Sequence, residues 1–107
     1  MKKYTIYLGL SDRTHKQQFI TTNYAKKLVA DGFKACTITE CFGSYTNLRN
    51  ERTTENTLKI EIIDFDNNID IEHKIQNLGV IFNQESIAYQ VEEINSKLVY
   101  IEHKIAA

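Results

Sequence analysis

The chain has 107 residues, 42% of them hydrophobic and 25% charged, with 13 Lys plus Arg against 14 Asp plus Glu. This is the composition of one globular domain spanning residues 1–107, with no room for a second core. The near balance of charge argues against a dedicated DNA-binding module, which neutralises phosphates with clustered Lys and Arg, and against an acidic disordered tail.

The segment Tyr4 to Leu10, YTIYLGL, is rich in β-branched and aromatic residues and predicts a first strand. Its apolar run alternates with Thr5 and ends too soon for a secretion signal. No stretch approaches the roughly 18 apolar residues of a membrane span. A cytoplasmic protein is therefore expected, with no membrane contact. After a polar loop, Thr21 or Thr22 caps a helix whose apolar stripe is Ile20, Tyr24 and Leu28, ending at Gly32. Ala35 to Tyr45 alternates as a second strand, interrupted at Gly43.

A polar loop, NLRNERTTEN, leads to a third strand from Thr57 to Ile63, with Leu58, Ile60 and Ile62 on one face. A second helix is predicted from Asp70 to Phe82, on the spacing of Ile71, Ile75, Leu78 and Phe82. Ser86 to Ile94 reads as a fourth strand. Asn95-Ser96 would then turn the chain into a fifth, Lys97 to Glu102.

This order is β-α-β-β-α-β with an extra C-terminal hairpin strand: a ferredoxin-like α+β fold, an antiparallel sheet with two helices on one face. The other face stays open unless a partner covers it. The first strand carries Tyr7 on one side and Ile6 and Leu8 on the other, so both sides are apolar. A homo-oligomer is expected from that two-sidedness.

Metal chemistry finds no support in the pattern. Cys36 and Cys41, five apart on an extended segment, would point to opposite sheet faces, unable to form a disulfide or share a metal. His15, His73 and His103 are scattered, without zinc-site spacing. Arg49 and Arg52 lie among Glu51 and Glu55, a poor start for binding nucleic acid.

No phosphate loop, nucleophile elbow or metalloprotease motif is present. Chemistry is expected instead at two places: the segment from Phe42 to Thr57 and the junction I81-F-N-Q-E-S-I-A-Y89. Tyr45, Glu55 and Gln84 stand out there. Taken singly they read as a strand-end packing residue, a solvated loop carboxylate and an amide satisfying a helix-end carbonyl. Together they fall where two strand ends and a helix exit can meet.

The order G-S-Y, then E-N-T before a strand, then a helix, F-N-Q-E-S and a further strand resembles the S-adenosylmethionine (SAM) lyases of phages, formerly called SAM hydrolases. The resemblance runs over almost the whole chain and rests on short motifs. It implies a ferredoxin-like homotrimer that cleaves SAM to methylthioadenosine and homoserine lactone, depriving host methylation and restriction systems of SAM. It further implies Glu55 and Gln84 as catalytic residues and Tyr45, Leu10 and Ser11 as substrate-binding residues, with SAM as substrate and no cofactor. Such a reaction needs no protein nucleophile, because the substrate's own carboxylate can attack its γ-carbon and expel a sulfonium. Positioning then carries the catalysis. Glu55 would bind the α-ammonium or the ribose hydroxyls, Gln84 the carboxylate or amino group, and Tyr45 the adenine or the sulfonium. The rival reading is a non-catalytic phage or bacterial binding module that sequesters a nucleotide signal or blocks a defence protein.

Overall fold

The computed structural model describes residues 1–104. Four strands and two helices follow in the order β1 (Lys2–Gly9), α1 (Thr22–Gly32), β2 (Thr37–Thr46), β3 (Arg52–Asp64), α2 (Ile71–Ile81) and β4 (Ala88–Glu93). The strands form one sheet in the order β2-β3-β1-β4, with every neighbouring pair antiparallel. This is the split β-α-β arrangement of a ferredoxin-like α+β fold, as the element order predicts.

Alternation divides the sheet into two faces. Tyr4, Ile6 and Leu8 on β1 stand opposite Ile62, Ile60 and Leu58 on β3, and all six are buried. Ala25 and Val29 of α1, with Ile71 and Leu78 of α2, complete the core on that side. Lys3, Thr5, Tyr7 and Gly9 have the opposite parity and face the side without helices. Lys3 and Glu61 pair there at 2.9 Å.

The helices begin where their caps place them. Thr21 accepts the Tyr24 N–H and opens α1. This sets the buried stripe on Ala25 and Val29, so Tyr24 turns outward, 56% exposed, contrary to the expected stripe. Ile20 and Leu28 flank the core. Asp70 caps α2 by accepting the His73 N–H, and Glu72 complements the dipole in the first turn.

Two further expectations are corrected. β3 starts at Arg52, five residues before the apolar run at Thr57, because β2 and β3 form a long hairpin closed by the pair Thr46–Arg52. Its turn is organised by Asn47, whose side-chain oxygen accepts the N–H groups of Arg49 and Glu51. The fifth strand, Lys97 to Glu102, is not formed. The β1–β4 register ends at the pair Lys2–Glu93, Ile94 bonds Met1, and the chain then runs past the sheet instead of turning at Asn95-Ser96. Among the described residues no helix is long and apolar enough to cross a membrane.

Candidate functional site

The open face is not flat. At the rim where β1 ends and β3 and β4 begin, a cavity of about 410 Å³ is lined by Tyr7 and Gly9 of β1, residues 41–45 of β2, Glu55 and Thr57 of β3, and Gln84, Ser86 and Ala88 beside β4. Antiparallel order brings these ends together: Gly9 pairs with Thr57, Gly43 with Glu55, and Tyr7 with Ala88. The volume suits a small organic ligand.

Glu55 is the buried carboxylate of this cavity, 6% exposed. Its carboxylate lies across Gly9, where any β-carbon would collide with it, and accepts the Ser11 N–H at 2.9 Å. Gly43 solves the same problem from β2, since a β-carbon there would crowd the Thr57 hydroxyl. Both glycines serve close approach and neither has a positive φ. Burial pushes the Glu55 carboxyl above its ordinary range, and hydrogen bonds from Ser11 pull it part of the way back. Contacts with Ser11 alone leave part of the carboxylate's accepting capacity free.

Gln84 is placed by the end of α2. Asn83 adopts φ 47, and the Gln84 N–H closes the helix on Gly79 O at 2.9 Å. The Gln84 amide nitrogen donates to Ser11 O at 2.7 Å and to Phe82 O at 3.2 Å. One of these bonds is the helix-end role expected of such an amide. The other reaches across to the β1–α1 loop and leaves the amide oxygen for a ligand. Ser11 is thus held at both backbone atoms, by Glu55 and by Gln84.

Tyr45 forms a half-open wall at the end of β2, 39% exposed. Its phenol is pushed above the ordinary tyrosine value, first by burial and then by the charges of Glu55 and Glu85. Tyr45, Glu55 and Gln84 therefore meet at one cavity. Leu10 does not join them. It shares the parity of Leu8, is buried on the helix side, and only its backbone N–H reaches Asn56 O. Ser11 touches the site by supporting Glu55 and Gln84, without lining the cavity.

Several residues of the site were not singled out from the sequence. Tyr7 adds a second aromatic wall, and Gly9 makes space for Glu55. A glycine inside YTIYLGL was the available signal, because an interior strand glycine marks close approach. Asn83 fastens the β1–α1 loop to the end of α2, donating to Asp12 at 3.1 Å and Thr14 at 3.0 Å and accepting from Arg13 at 2.9 Å. No local pattern announces that long-range role.

The cysteines are free: Cys41 borders the cavity while Cys36 packs beside the core, where burial raises its thiol. Among the described residues no group of three or more His, Cys, Asp or Glu side chains could hold a metal ion. The site offers one buried carboxylate, one amide and two tyrosine rings. Such a set suits a cation attached to a flat heterocycle.

No protein family and no curated protein matches the chain by sequence. Solved structures do. A phage SAM lyase in its apo state matches with a TM-score of 0.65 and 24% identity, over 85% of this chain and 78% of that one. A phage SAM lyase in complex with S-methyl-5'-thioadenosine matches with a TM-score of 0.65 and 25% identity, over 86% of this chain and 80% of that one. The chain shares its fold with phage SAM lyases. The likeness of fold and the short motifs G-S-Y, E-N-T and F-N-Q-E-S thus point the same way.

Proposed function

We propose that the chain is a SAM lyase, releasing methylthioadenosine and homoserine lactone. The observation that carries this reading is the convergence of Tyr45, Glu55 and Gln84 on one cavity. A structural neighbour in complex with S-methyl-5'-thioadenosine supports it.

The substrate carries its own nucleophile and leaving group. One carboxylate oxygen of the methionine moiety attacks the γ-carbon, a C–O bond forms, the C–S bond breaks, and its electron pair neutralises the sulfonium. No proton has to move in that step. The protein's task is to bend the methionine chain so that oxygen, carbon and sulfur align, a kind of positioning that supplies roughly 7–11 kcal/mol in favourable cases.

Glu55 is suited to the α-ammonium, because a buried carboxylate with free lone pairs is improved by a cation. The Gln84 amide oxygen offers a second acceptor for the same group. Tyr45 and Tyr7 provide ring faces for the adenine or the sulfonium. Glu55 and Gln84 thus hold the reacting moiety, while Ser11 keeps both of them in place. In this reading the protein is a phage-encoded anti-restriction enzyme acting in the host cytoplasm, assembled as a homotrimer, with SAM as substrate and no cofactor.

The test is a chromatogram of SAM incubated with the protein. Growth of a methylthioadenosine peak and of homoserine lactone is the expected result. Binding of SAM without either product would replace the lyase by the non-catalytic binder. Absence of both binding and product would remove SAM as the ligand.

A further inference from the structure

A second cavity, of about 390 Å³, lies among three loops and shares no lining residue with the first. Its walls are Arg13, Thr14 and Lys16 of the β1–α1 loop, residues 47–49 of the β2–β3 turn, and Glu85 after α2. The loops are tied to one another around it. Lys16 pairs with Glu51 at 2.8 Å, and the Leu48 N–H donates to Glu85 at 3.1 Å. Asn83 grips Arg13 twice: its backbone oxygen accepts the Arg13 N–H and its side-chain oxygen accepts Nε, each at 2.9 Å. The walls are thus fixed before any ligand arrives, which lowers the cost of binding.

Three cations and one carboxylate face this space. Lys16 is engaged by Glu51, but among the described residues neither Arg13 nor Arg49 forms an ion pair. Arg13 is held through Nε, which leaves its planar fork of terminal N–H groups to a ligand. Arg49 is carried into position by the turn that Asn47 organises. Two guanidinium groups at one small cavity suit a single phosphate, which each can grip bidentately. Glu51 and Glu85 nearby make the surface unfit for a nucleic-acid strand, whose affinity is summed over many phosphates. Glu85 can accept from hydroxyl groups, and Leu48, 88% exposed, offers apolar surface beside it. A phosphate monoester, carrying a charge of about −1.5 to −2 at pH 7, on a small polyhydroxy body meets all of these groups.

We propose that this second cavity binds a sugar phosphate, free or as part of a nucleotide. Arg13 and Arg49 take the phosphate, Glu85 takes a sugar hydroxyl, and Leu48 covers the remaining body. None of these residues is assigned to SAM, so the site stands whether or not the first cavity cleaves it.

Isothermal titration of the full chain with ribose 5-phosphate and with uridine 5'-monophosphate tests this. Uridine avoids the adenine for which the first cavity is suited. Binding of either ester is the expected result: tighter binding of the nucleotide assigns the site to nucleotides, and equal binding assigns it to free sugar phosphates. If neither ester binds, the proposal falls. It also falls if ribose binds as well as ribose 5-phosphate, or if inorganic phosphate binds as well as the esters. Arg13→Gln and Arg49→Gln should each weaken ribose 5-phosphate roughly tenfold, because hydrogen bonds between charged groups are the strong ones. Arg49→Gln should keep the parent's melting temperature, since Arg49 is an exposed turn residue. Glu55→Gln should bind ribose 5-phosphate as the parent does. Two arginine variants that bind like the parent, or a Glu55 variant that loses binding, would put the phosphate elsewhere and overturn the proposal.

Discussion

On β1 the side chains of Tyr4, Ile6 and Leu8 are sealed beneath the helices, while Tyr7 and Gly9 on the same strand border the cavity. On β3 the division is repeated between Leu58, Ile60 and Ile62 on one side and Glu55 and Thr57 on the other. The helix side is closed by apolar packing, and its buried carboxylate, Asp64 at the end of β3, is satisfied by the N–H groups of Asn68 and Ile69. The open side instead buries a carboxylate held by Ser11 alone and keeps two glycines where larger residues would add packing. The difference teaches that stability and chemistry are assigned here to opposite faces of the same strands. A substitution's effect should follow its parity.

The largest effect is expected from the helix side. Ile60→Ala leaves a void under both helices and should cost about 2–5 kcal/mol of unfolding free energy, read from denaturant titration, whatever it does to SAM. A loss below about 1 kcal/mol would mean that this face is not the main core.

Glu55→Gln should do the reverse. It keeps the shape and the bond from Ser11 but removes the charge for the ammonium. Turnover of SAM should fall at least tenfold, from a contact contributing about 1.5–3 kcal/mol, while the fold persists. A variant that cleaves SAM as fast as the parent would show that the charge plays no part.

Gly9→Ala sharpens the same contrast from β1. Its new methyl must displace the Glu55 carboxylate, so turnover should drop together with a stability loss of about 1–3 kcal/mol. Unchanged turnover would mean that Glu55 can move without consequence. Gln84→Ala should cost the fold about 1–3 kcal/mol, because the Ser11 and Phe82 carbonyls each lose one hydrogen bond. Its turnover should fall further than its melting temperature suggests.

The smallest effects concern pH. The Glu55 carboxyl is raised in the folded protein, chiefly by burial. As pH climbs from about 4.3, the unfolded chain loses this proton first, so Glu55 subtracts stability up to its folded value and beyond. Glu55→Gln should therefore gain on the parent in melting temperature between pH 4 and pH 7. Asp12 behaves oppositely. Desolvation pushes it up most strongly, yet hydrogen bonds from His15, Asn83 and Gln17 together bring it down to about 2. The parent should lose stability as pH falls from about 3.9 toward 2, and Asp12→Asn should lose less over that window. Parallel melting curves for parent and variants would show that neither carboxyl titrates differently on folding.

Much of the fold was legible because periodicity is a local property. Leu58, Ile60 and Ile62 alternate, Ile71, Ile75, Leu78 and Phe82 recur at helical spacing, and Thr21 and Thr22 offer caps just ahead of the first helix. The expected stripe on α1 failed at Tyr24, since four-residue spacing alone does not decide which of two neighbouring stripes meets the sheet. The first half of β3 was hidden because its residues 52–56 are polar and become a strand only through pairing with β2. The fifth strand failed although its side chains suit a strand and the outer edge of β4 is free, because the chain does not turn at Asn95-Ser96 and so is not brought back along that edge.

By itself the sequence determined the order β-α-β-β-α-β and the parity of the strands, both of which depend on neighbours a few residues away. It also contained Tyr45, Glu55 and Gln84 as polar or aromatic residues beside element ends. Only the tertiary structure decided that these three share a cavity and that Leu10 belongs to the core. It also decided that Glu55 is buried across Gly9 and that Ser11 ties Glu55 to Gln84. Those facts depend on hydrogen bonds between residues 44 and 73 positions apart in the chain, which no local pattern encodes.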